Sequence, residues 1–101
     1  MDHNLPTSGY NIKFTSEARD QLREIEKLPF IGEALAEIQY TLHNRPYSCP
    51  IAGQPLVLFR VLKTVSYRRE ETDVPSLAVY FRIIEDDKEV LVLKIKIRTV
   101  S

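Results

Sequence analysis

The stretch VYFRIIEDDKEVLVLKIKIR holds two apolar, β-rich runs on either side of the polar tract EDDKE. In the second run Lys94, Lys96 and Arg98 alternate strictly with Leu93, Ile95 and Ile97. Side chains along a strand point to opposite faces in turn, so this pattern describes a strand with one apolar and one cationic side. A short polar link between two such runs makes a hairpin. The chain must then supply a layer that covers the apolar side, while the cationic side is left facing water or a ligand.

The first half of the chain carries that layer. Thr15 or Ser16 offers a helix N-cap, and Glu17 and Asp20 stand in the first turn, where the helix dipole favours negative charge. Ala18, Leu22 and Ile25 then recur at helical spacing, and Pro29 disfavours helical geometry at Leu28, which ends the element. Ile31, Leu35, Ile38 and Leu42 repeat the spacing in a second helix, from about Phe30 to Asn44. With almost no linker between them, the two helices fold back as a hairpin whose joined apolar faces need a flat partner. Ahead of them, Tyr10, Ile12 and Phe14 alternate with Asn11 and Lys13 as a half-buried strand.

Residues 1–9, broken by Pro6 and Gly9, read as a short flexible arm, and residues 10–101 as a single domain. The segment HNRPYSCPIAGQP, with Pro46, Pro50, Gly53 and Pro55, reads as an ordered loop. Strands are expected over Leu56 to Val65, Leu77 to Ile84 and Val90 to Arg98, joined by SYRREETDVPS and EDDKE. The fold class is therefore α+β: a β-α-α-β-β-β chain forming a twisted antiparallel sheet, with the helical hairpin packed on one face.

Alternation assigns the faces. Leu91, Leu93, Ile95 and Ile97 meet the helices, as do Leu77, Val79, Phe81 and Ile83. In the strand after the prolines, Val57, Phe59, Val61 and Val65 are the inner set, which puts Arg60 outside and leaves Lys63 interrupting the inner pattern. The open face then gathers Arg60, Arg82, Lys94, Lys96 and Arg98 around Tyr80, with the acids on the helices and in the two connections. Such a face suits phosphates or a carboxylate-rich partner. Cations on an exposed sheet also oppose edge aggregation, so solubility alone is a competing reading.

The remaining composition narrows the field. With 14 basic and 14 acidic residues among 101, the molecule has no net field toward nucleic acid or anionic membrane, so any such affinity is local. The apolar runs LVLF and VLVL fall far short of the roughly 20 residues of a membrane helix, so no membrane partner is expected. The N-terminus lacks the basic start and apolar core of a secretory signal, and a soluble protein of the reducing cytoplasm is expected. The lone Cys49 reads as loop packing rather than a nucleophile, and the isolated His3 and His43 offer no metal spacing. Arg68 and Arg69 beside Tyr67 extend the basic patch toward RNA in one reading, and in another are compensated by Glu70, Glu71 and Asp73.

From Tyr10 to Arg98 the order of elements and certain residues resembles the RelE/ParE superfamily of type II toxin-antitoxin systems. The carrying motifs are KFTSEARDQL, a strand running into a helix cap; LVLFRVL, a strand with an Arg matched by Arg60; and VYFRIIEDDKEVLVLKIKIR, with Arg82 and Arg98 at corresponding positions. Ala78 stands where many members carry an Arg. The resemblance implies a RelE/ParE-like fold and a small growth inhibitor silenced by a cognate antitoxin. One branch cleaves mRNA on the ribosome as an mRNA interferase, without metal or other cofactor. In that reading Arg82, Arg98, Lys96 and Tyr80 are the catalytic set, and Arg60, Lys94, Arg68 and Arg69 hold RNA. The alternatives are a non-enzymatic, ParE-like toxin acting on DNA gyrase, or a catalytically inactive relative that binds antitoxin.

Overall fold

The computed structural model describes residues 9–54 and 57–98. The arm expected over residues 1–9 lies, apart from Gly9, outside them, as do the proposed strand start at Leu56 and residues 99–101. Strand β1 (Asn11–Phe14) leads into helix α1 (Ser16–Ile25). Thr15 is the cap: its Oγ1 accepts from the Ala18 N–H at 3.1 Å. The chain turns at Phe30, whose φ of 60° is left-handed, and helix α2 (Gly32–Asn44) follows. Ala18 and Ile25 of α1, and Ala34, Ile38 and Leu42 of α2, are buried against the sheet.

The segment expected to be loop contains a 3₁₀ turn, Pro46–Ser48, and a short edge strand, β2 (Ile51–Gln54), paired antiparallel with β3 (Val57–Lys63). Prolines beside an edge strand remove no bond between strands, and Gly53 adopts a φ of 98° within it. The connection SYRREETDVPS is likewise ordered, as a two-stranded hairpin of β4 (Tyr67–Arg69) and β5 (Thr72–Val74). Its turn residues Glu70 and Glu71 both have positive φ, at 49° and 65°, the mirror-image turn that ordinarily selects Asn-Gly or Asp-Gly.

The long hairpin consists of β6 (Ser76–Ile84) and β7 (Glu89–Arg98), closed by a 3₁₀ turn at Glu85–Asp87 and a left-handed Lys88. The main sheet runs β1-β7-β6-β3-β2. It is mixed rather than wholly antiparallel, because β1 lies parallel to β7. The helical hairpin intervenes between β1 and the later strands, so β1 pairs with the last strand instead of a sequence neighbour.

Register corrects two face assignments. Tyr80 pairs with Lys94 but Phe81 with Val92, so Leu93 is an extra residue in β7, a β-bulge. The bulge reverses the alternation: Val90 and Val92, both fully buried, join Ile95 on the helix side, and Leu91 moves outward. Helix α1 satisfies the disturbed backbone, since the Thr15 hydroxyl donates to the Leu93 carbonyl and the Ile95 N–H donates to Gln21 Oε1. The second correction concerns β3. Arg60 pairs with Phe81 and Leu62 with Val79, placing both on the helix side, whereas Val61 pairs with Tyr80 and Lys63 with Ala78. Val61 and Lys63, with Phe59 two residues before Val61, therefore face outward.

Candidate functional site

The two helices pack over β1 and β7, and the opposite face of the sheet carries the cations. Reading across the strands, Lys63, Ala78 and Lys96 form one row, and Val61, Tyr80 and Lys94 the next. Arg82, Leu91 and Lys13 form a third row, and Arg98 faces Ser76 at the other end. Lys13, Lys63, Arg82, Lys94, Lys96 and Arg98 are all exposed. Lys63 and Lys96 flank the small, buried Ala78, so their Cα atoms stand about 10 Å apart across two strand spacings. Among the outward strand positions with described side chains the one carboxylate is Glu89, beside Ile84 and Asn11, roughly 20 Å along β7 from Lys96.

Two half-buried aromatic rings sit within this field. Phe59 and Tyr80 meet edge to face, with centroids 5.6 Å apart and planes at 68°. Arg98 reaches Ser76 Oγ at 3.5 Å, and Ser76 in turn donates to the carbonyl of the buried Thr64. Among the described residues, no carboxylate bridges Lys63, Arg82, Lys94 or Lys96.

The structure thus brings together Arg82, Arg98, Lys94, Lys96 and Tyr80 as the alternation implies, and separates the other three candidates from them. Arg60 lies on the helix side, where its guanidinium donates to the Cys49 carbonyl at 2.7 Å and stacks 5.1 Å above the Tyr47 ring. It anchors the chain between α2 and β2. Arg68 pairs with Asp73 at 3.1 Å, and Arg69 pairs with Glu33 of α2 and lies over Phe30. Both belong to the small hairpin, which is pinned to the start of α2 by the Tyr67 hydroxyl donating to the Phe30 carbonyl. Sequence reasoning missed Lys63 as an outward cation. Its own charge was the signal, since a lysine in step with Phe59 and Val61 marks that set as the outward one.

A second polar cluster closes the end of the molecule near Arg60. The hydroxyls of Tyr10 and Tyr47 both donate to Glu85 Oε1, at 2.9 and 2.7 Å. Those bonds, Tyr47's first, hold the Glu85 carboxyl below the usual range, and the bond to Glu85 raises the Tyr47 phenol above its own. Lys88 sits 3.5 Å from Glu85 and 4.3 Å from the centre of the Tyr10 ring. Burial pushes the Cys49 thiol up, away from the nucleophilic thiolate. Among the described residues no group of three or more His, Cys, Asp or Glu side chains is arranged to hold a metal ion. No described helix is long and apolar enough to cross a membrane.

No family model matches the chain, and no curated protein matches it. Among solved structures it is similar to the crystal structure of the intact E. coli RelBE toxin-antitoxin complex. The alignment has 17% identity and a TM-score of 0.46, and covers 90% of this chain and 99% of that one.

Proposed function

We propose that this chain is the toxin component of a type II toxin-antitoxin module and that it acts on messenger RNA through the open sheet face. The observation that carries the reading is the concentration of Lys13, Lys63, Arg82, Lys94, Lys96 and Arg98 on one face of a neutral protein, with no carboxylate bridging Lys63, Arg82, Lys94 or Lys96 among the described residues. The resemblance of KFTSEARDQL and VYFRIIEDDKEVLVLKIKIR to RelE/ParE toxins supplies the biological setting.

RNA cleavage of this type needs few parts. The ribose 2′-hydroxyl gives up its proton and attacks the adjacent phosphorus in line with the departing 5′-oxygen. The P–O5′ bond breaks, and the leaving oxygen takes a proton. Fixed cations stabilise the charge that develops on the phosphate, and a positioned side chain moves a proton. In this proposal Arg82, Arg98 and Lys96 hold the reacting phosphate, the Tyr80 hydroxyl takes part in proton transfer, and Lys63 and Lys94 guide the strand. The ribosome presents the messenger. The cognate antitoxin is an acidic, partly disordered segment that covers the same cations.

Induction of the chain alone in a bacterium, with mapping of new 5′ ends in the messenger pool, tests this directly. Growth arrest with new ends that disappear in a folded Arg82→Ala, Lys96→Ala variant is the expected result. Arrest without new ends would redirect the reading to a bound target such as DNA gyrase, and a folded product that arrests nothing would sink the toxin assignment.

A further inference from the structure

Resting on the RNA reading above, we infer that Phe59 and Tyr80 form a stacking platform for a nucleobase of single-stranded RNA, with the flanking phosphates held by the surrounding cations. The water-facing side of a sheet has no need of two aromatic rings at its centre, yet both occupy outward positions on adjacent strands and remain half-buried. Their edge-to-face contact at 68° turns the two ring planes in different directions, so the pair cannot satisfy both π-faces internally. A base laid on the exposed ring surface completes that packing. Every base has such a face, so the contact tolerates any sequence.

The cations stand where a backbone threaded past the rings would place its charges. Lys94 lies directly across from Tyr80, Arg82 is two residues further along the same strand, and the Lys63 and Lys96 pair forms the next row on the other side. Successive rows are separated by about 7 Å along the strands. The field therefore has an apolar centre and charged margins on both sides. That combination distinguishes single-stranded nucleic acid from a bare polyanion, which would gain nothing from the rings.

The test compares two synthetic oligomers of equal length, an oligouridylate and its abasic ribose-phosphate counterpart, titrated against the full chain at several salt concentrations. Tyr80→Leu and Phe59→Leu should each weaken oligouridylate binding roughly tenfold while leaving the salt slope and the abasic affinity unchanged. Tyr80→Phe, which keeps the ring and removes the hydroxyl, should bind as the parent does. Circular dichroism and thermal melting identify variants that fold, and Tyr80→Trp provides a second probe that retains a stacking face and should keep tight binding. Equal losses on both oligomers, or no loss on either, would overturn the platform while the basic-face reading stands. Failure of the parent chain to bind either oligomer would overturn both.

Discussion

Two groups of cations stand apart in this protein, and the contrast between them is more informative than their total. Five of them, on or beside helix α1, in the small hairpin and in the closing turn, are partnered: Arg23 with Asp20, Lys27 with Glu24, Arg68 with Asp73, Arg69 with Glu33, Lys88 with Glu85. On the open face of the sheet, Lys63, Arg82, Lys94 and Lys96 have no carboxylate partner among the described residues. Exposed ion pairs of the first kind contribute little to stability. A cluster of like charges held together by strand register is mildly unfavourable to the fold itself.

Adjacent residues on β6 break the comparison most sharply. Phe81 is fully buried on the helix side, and Phe81→Ala should cost about 3 to 5 kcal/mol in denaturant unfolding. Arg82, its exposed neighbour, should change stability by less than about 0.5 kcal/mol when replaced by alanine. The same substitution should lower RNA cleavage by roughly a hundredfold or more if its charge stabilises the reacting phosphate. An Arg82→Ala variant that unfolds like Phe81→Ala would erase the distinction between the two faces.

Arg60 and Lys63 sharpen it, because the structure reverses their expected roles. Arg60→Ala removes the charge-assisted bond to the Cys49 carbonyl and the stacking on Tyr47, and should destabilise the protein by about 1 to 2 kcal/mol without altering the salt dependence of RNA binding. Lys63→Ala should do the opposite. Stability should hold within about 0.5 kcal/mol, while the slope of log affinity against log salt becomes shallower by about 0.7 for the lost phosphate contact. Swapped outcomes would mean that β3 sits one residue out of the observed register.

A smaller effect tests the bulge that sets the cationic face. Thr15→Ala removes both the cap of α1 and the hydroxyl that satisfies the Leu93 carbonyl, and should cost about 1 kcal/mol. The smallest expected effect is a pH dependence at the Glu85 cluster. The folded state holds the Glu85 carboxyl below its ordinary range, so this contribution is present at neutral pH and fades as pH falls past the ordinary carboxyl range and through the depressed folded value. The raised Tyr47 phenol acts in the other direction. Its contribution is intact below its ordinary value near pH 10 and fades as pH rises beyond it. Acid titration of Glu85→Gln should lack the first of these losses, and an unchanged profile would remove the cluster from the account of stability.

Much of this organisation was legible in the residues. The two helical stripes, a cap at Thr15 or Ser16, the stop at Pro29 and the long terminal hairpin follow from spacing that depends only on the chain's own geometry. So does the outward direction of Lys94, Lys96 and Arg98, because strict alternation over three pairs leaves one side for charge. Strand β2 was hidden by its neighbouring prolines, and the β4-β5 hairpin by a mirror-image turn made of two glutamates instead of glycine.

The amino-acid sequence by itself therefore determined both helices, the strands β1, β3, β6 and β7, and the cationic side of the last strand, because periodicity and local sterics act within a few residues. Only the tertiary structure decided which faces join. The Leu93 bulge, the parallel placement of β1 against β7 and the register of β3 are choices among pairings that cost nearly the same locally and differ only in what they bury. Those pairings send Arg60 to the helix side and bring Lys63 to the face that holds Lys96 and Tyr80.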